Sequence, residues 1–121
     1  MGVVVLAASC QHHARATPHE WTASIEGAPV QIEEQKNGYL VRNISALAIL
    51  NVQLGCLTTL ARPTIVARFD PVESTLNPGE SFGATAFHDD IPGKRECKEK
   101  NALLAPISAK FADGKEWRAE F

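Results

Sequence analysis

The sequence predicts an all-β domain, an antiparallel sandwich of about seven or eight short strands. Three observations predict it. From Trp21 onward apolar residues alternate with polar ones instead of recurring at helical spacing. Turn signals rich in Gly, Pro and Asn fall roughly every ten residues, which suits hairpins and not strand–helix–strand units. The chain has 121 residues, with 8 Gly and 7 Pro against a single Met, so it is one turn-rich domain.

Composition excludes several classes. Hydrophobic residues make up 45% and charged residues 21%, which argues against a disordered chain or a coiled coil. A net charge of −2 leaves no electrostatic footprint for nucleic acid. No apolar run is long enough to span a membrane as a helix.

The elements follow in order. Trp21, Ala23 and Ile25 alternate with Thr22 and Ser24, and Gly27-Ala28-Pro29 breaks that strand. Val30 and Ile32 start the next. Asn37-Gly38 is a hairpin signal, because both central positions of such a turn take positive φ. An extended run from Tyr39 to Ile44 then meets a corner at residues 43–46. Residues 47–57 are the most apolar segment, with Leu50, Val52, Leu54 and Cys56 alternating with Asn51, Gln53 and Gly55. A helix over residues 46–54 is the alternative, but Asn51 and Gln53 would interrupt its buried face.

Pro63 opens a strand with Ile65, Ala67 and Phe69 on one face, and Asp70-Pro71 is expected to end it. Leu76-Asn77-Pro78-Gly79-Glu80 is a tight turn with Gly79 left-handed. Residues 81–88 form a strand, 89–101 a polar loop, and 102–111 a strand with Leu103, Ile107 and Phe111 on one side. In the final hairpin a two-residue loop at Asp113-Gly114 would set Phe111 opposite Glu116. A three-residue loop instead brings Trp117, Ala119 and Phe121 to the face of Ile107, Ala109 and Phe111. Register follows the hydrophobic face, so three residues are expected, with Gly114 left-handed in a bulge.

Met1 to Cys10 reads MGVVVLAASC, an apolar run followed by small residues and a cysteine. It resembles the end of a bacterial lipoprotein signal, in which that cysteine is acylated. Ala7 stands where such signals carry Leu, Leu6 lies one place too early, and no charged n-region precedes the run. The expectation is that residues 1–10 are the remnant of a signal with Cys10 lipidated, residues 11–20 a polar His-containing linker, and residues 21–121 the folded domain. The alternative is an ordinary buried strand at the N-terminus. Lipidation would tether the domain to a membrane surface without spanning it.

Three other features resemble bacterial immunoglobulin-like domains. Tyr39-Leu40-Val41-Arg42-Asn43-Ile44-Ser45 is similar to their second strand running into an Asn-x-Ser corner. Leu76 to Glu80 is similar to the turn that enters their penultimate core strand, and Phe111-Ala112-Asp113-Gly114 before Trp117 to their final hairpin. The resemblance covers about residues 28–121. It implies an immunoglobulin-like or fibronectin-III-like sandwich in an envelope or extracellular setting, with no shared chemistry.

Of the three cysteines, setting Cys10 apart leaves Cys56 and Cys97 as a pair 41 positions apart. A bridge between them requires an oxidising compartment. The alternative is a buried Cys56 and a free thiol at Cys97.

Few residues carry a recognisable chemistry. His12, His13 and His19 near Cys10 are weak metal candidates, because imidazole and thiolate suit zinc or copper but the spacing matches no zinc pattern. Cys97 with His88 is the single conceivable thiol-enzyme pair, and no nucleophile elbow surrounds it. Glu33 and Glu34 point to opposite faces of a strand and do not form a carboxylate pair. Asp89-Asp90 brings too few oxygen ligands for calcium. Asn43-Ile44-Ser45 matches the glycosylation sequon. The loop residues Asp89, Asp90, Lys94, Arg95 and Lys98 are the candidate binding loop, in a segment whose acidic and basic residues balance.

The expected function is therefore a non-enzymatic, exported binding, adhesion or spacer module, with no cofactor and no nucleic acid. Its expected partner is another envelope protein or a surface ligand, met through loops or an edge strand. Its contact with membrane would be through a lipid anchor alone. A small metal carrier using the His-rich segment and a thiol enzyme are the alternatives.

Overall fold

The computed structural model of the chain describes residues 15–58, 62–72, 74–85 and 91–121. Among the described residues nine strands and one short helix run in the order β1 (Ala16–Pro18), β2 (Ala23–Ile25), β3 (Val30–Gln35), β4 (Gly38–Asn43), β5 (Ile49–Thr58), β6 (Thr64–Val72), β7 (Ser81–Thr85), α1 (Lys94–Glu99), β8 (Leu103–Phe111) and β9 (Glu116–Arg118). The strands form antiparallel sheets ordered β3-β4-β7 and β6-β5-β8-β9, plus the β1-β2 hairpin.

One core joins the two larger sheets. Val30, Ile32, Tyr39, Val41 and Ala84 come from the first sheet, and Val52, Leu54, Cys56, Leu104 and Ala109 from the second. Each set is the inward half of an alternating pattern, so burial selects the pleat. A smaller core lies on the other face of the second sheet, where Ala23, Ile25 and Ala28 cover Leu57, Ala105 and Ile107. Residues 16–18 therefore belong to a hairpin that closes this face, and the expected linker over residues 11–20 is corrected at that point. A short apolar strand becomes stable here because β5 and β8 are apolar on both sides.

Bulges redirect several side chains. Ile49 pairs with Phe111 and Asn51 with Lys110, so Leu50 is an extra residue and is 47% exposed, contrary to the alternation expected of it. Val66 is the extra residue on β6 and is 39% exposed. Ile107 is the extra residue on β8. It faces the smaller core while Phe111 packs on the larger, so Leu103, Ile107 and Phe111 do not share one side as expected. The strand expected to end at Asp70-Pro71 runs on to Val72. Pro71 is tolerated because β6 is an edge strand and its pairing shifts register there.

The final hairpin has the expected three-residue loop. Lys110 pairs with Glu116 and Ala109 with Trp117, Gly114 donates to the Phe111 carbonyl, Phe111 donates to the Lys115 carbonyl, and Gly114 has φ +92°. The Asn77–Glu80 turn also forms, with Gly79 left-handed. The β3-β4 turn differs from expectation. Gln35 pairs with Gly38, so Lys36 and Asn37 make the turn, and neither has positive φ. Gly38 lies in β4 because a side chain there would strike the Ala84 carbonyl of β7.

Candidate functional site

The polar loop expected over residues 89–101 contains a helix. Gly93, left-handed at φ +85°, leads into α1. Asn101, left-handed at φ 52°, closes it: its N–H reaches the Lys98 carbonyl at 3.0 Å, and Ala102 N–H reaches the Cys97 carbonyl at 2.8 Å. That is a Schellman stop with Asn in place of Gly. Cys97 is the one buried side chain of α1, and it is disulfide-bonded to Cys56 on β5 with Cα atoms 5.1 Å apart. The bond pins a charged helix to the core strand and leaves no thiol at Cys97, so the thiol-enzyme alternative loses its nucleophile. Its other member, His88, lies outside the described residues.

The pinned helix faces the N-terminal hairpin. Lys94 and Lys98, one turn apart, line a cleft of about 350 Å³ with Glu20, Trp21, Asn101, Ala102 and Leu103. Lys94 Nζ lies 4.9 Å from the Trp21 ring centroid, a cation–π contact. Trp21 meets Tyr39 edge-on at 5.9 Å. Its backbone is held on both sides: its N–H donates to Glu34 Oε1 at 2.9 Å, and its carbonyl accepts from Leu104 N–H at 3.1 Å. Burial, with Glu96 adding to it, pushes the Tyr39 phenol up to about 12, so it stays neutral.

Of the candidate binding-loop residues, Lys94 and Lys98 are brought together at this cleft. Arg95 is not: it lies in solvent, paired with Glu99 at 3.4 Å. Asp89 and Asp90 lie outside the described residues, as do Cys10, His12 and His13. His19 is in contact with Ser24 Oγ at 2.6 Å, and among the described residues no group of three or more His, Cys, Asp or Glu could hold a metal.

Glu33 and Glu34 do separate as expected. Glu33 pairs with Arg42 on the surface at 3.5 Å. Glu34 turns to Thr22 and Trp21. Burial raises its pKa, but the Trp21 N–H, the Thr22 hydroxyl and N–H, and nearby His19 outweigh that and hold its carboxyl below the ordinary glutamate value. The signal was present in the sequence: Val30, Ile32 and Glu34 share parity, so a carboxylate on the core side of β3 needed partners. Asn43 is fully buried at the corner. Its Nδ2 donates to the Leu47 and Leu76 carbonyls, and its Oδ1 accepts from Ser45 N–H and hydroxyl, so the sequon match is a structural corner.

Comparison with protein-family models, with curated proteins and with solved structures gave no match.

Proposed function

We propose that this chain is an exported immunoglobulin-like β-sandwich that acts as a non-enzymatic binding module through the end of the fold carrying α1. Strand order supports the fold assignment. Counting from β3, the first, second and fifth strands form one sheet, and the fourth, third, sixth and seventh form the other, the distribution of a fibronectin-III-like sandwich. The disulfide departs from the antibody pattern, since it joins a core strand to a helix instead of linking the two sheets.

The observation that carries the functional proposal is the Cys56–Cys97 bond. It fits an oxidising compartment. It also holds the Lys94 and Lys98 cleft on a rigid scaffold, where a binding surface loses little entropy on association. Anchoring through Cys10 would hold the domain at a membrane surface.

An amine reagent that cannot cross membranes tests export. Applied to producing cells whose outer envelope alone has been opened, it is expected to label Lys98 and Lys100. Labelling that occurs only after the cells are broken contradicts the proposal.

A further inference from the structure

We propose that the Trp21–Lys94–Lys98 cleft binds a carboxylated sugar, the acidic unit of an envelope polysaccharide. The inference rests on the exported-module proposal for where such a ligand is met. Its chemistry rests on the cleft.

The cleft walls divide by kind. Lys94 and Lys98 supply two ammonium groups from one face of α1. Neither has an ion pair among the described residues, so an anionic group entering the cleft would meet two ammonium groups not already matched to a carboxylate. The Asn101 amide and the Glu20 carboxylate line the same space, and they match the donors and acceptors of sugar hydroxyls. Trp21 and Leu103 add an apolar part of the lining, beside the Lys94 ammonium that lies over the indole. An inorganic anion would use the lysines and leave the amide, the carboxylate and the indole without a role.

Size and rigidity agree. A cleft of about 350 Å³ sits at the small end of ligand sites, which run from about 300 to 1,000 Å³. Its walls are set before binding: α1 by the disulfide and the Asn101 stop, and Trp21 by Glu34 and Leu104. Lys94 lies over the indole, so a carboxylate drawn to Lys94 comes to rest beside Trp21.

Titration of the isotope-labelled full chain, followed by NMR, tests this with three probes: a mannuronate trisaccharide, neutral mannotriose and inorganic phosphate. The acidic trisaccharide is expected to shift the Trp21 ring N–H and the Lys98, Asn101 and Ala102 amides, with a Kd of about 1 mM or below. Mannotriose should bind at least about tenfold more weakly, and raising salt should weaken the acidic sugar. Lys94→Gln with Lys98→Gln should cost about tenfold or more while leaving the remaining amide spectrum in place. Arg95→Gln should change nothing, because Arg95 is paired with Glu99 away from the cleft.

Phosphate binding as tightly as the trisaccharide, equal binding of mannotriose, or no shifts at saturating sugar would each overturn the assignment. If the chain is exported but gives no shifts, the ligand class fails and the exported module stands. If it binds the sugar but is protected from the impermeant reagent, the export proposal fails instead.

Discussion

Glu34 holds Thr22 twice through a single oxygen: Oε1 accepts from the Thr22 N–H at 3.0 Å and from its hydroxyl at 2.9 Å. With the Trp21 N–H added, this clamp ties the N-terminal hairpin to β3 and sets one wall of the cleft. Because the folded carboxyl lies below its ordinary value, its stabilisation is complete above that value and is lost as pH falls through the lowered one. Glu34→Gln should cost about 1 kcal/mol at neutral pH, a charge-assisted contribution discounted for partial exposure. Denaturant titrations across acidic pH should show the wild-type advantage closing as the carboxyl protonates.

Cutting the Cys56–Cys97 bond should be the costliest change to the end of the fold that carries α1. Closing a loop of 41 positions contributes about 4 kcal/mol on the chain-entropy argument. Replacing both cysteines with Ser should therefore lower Tm by about 15 °C, read by calorimetry. Amide exchange should accelerate first in α1, whose one buried side chain is Cys97.

Asn43→Ala should cost about 2 kcal/mol, because it removes one of the two donors at each of the Leu47 and Leu76 carbonyls and takes the acceptor from the Ser45 N–H. Chemical denaturation measures it. The corner should loosen enough to expose the backbone near Leu47 to protease.

Two glycines should respond differently to Ala. At Gly38 the new methyl meets the Ala84 carbonyl, so β4 and β7 must separate, at a cost of about 3 kcal/mol. At Gly114 nothing lies within 4 Å, and only the left-handed backbone resists, at a cost of about 1 kcal/mol. Denaturation midpoints of the two variants should differ in that order.

These residues show what was legible in the sequence. Strands with one buried face were, since Val30 and Ile32 on β3 and Tyr39 and Val41 on β4 alternate with more exposed residues. The last hairpin was, because only one loop parity matches the apolar faces of its strands. Leu50, Val66 and Ile107 were not: a bulge is set by the partner strand, and nothing local marks it. Gly38 was read as a turn residue because the approach of Ala84, far along the chain, is invisible to local pattern. The six residues of α1 carry one buried side chain, too little for a helical period, although Asn101 after a charged run was a usable stop signal. Lys94 and Lys98 were legible as charges. Trp21 was not legible as their wall, because only the folded chain brings the turn between β1 and β2 beside α1.

The redox state of Cys56 and Cys97 in the native chain decides whether α1 is stapled to β5 in an oxidising compartment. Protein taken from its own cells into acid, then alkylated without reductant and digested, gives the answer by mass spectrometry. One linked Cys56–Cys97 peptide pair is expected, with no alkylation at either cysteine until reductant is added. Both cysteines alkylated before reduction would contradict it.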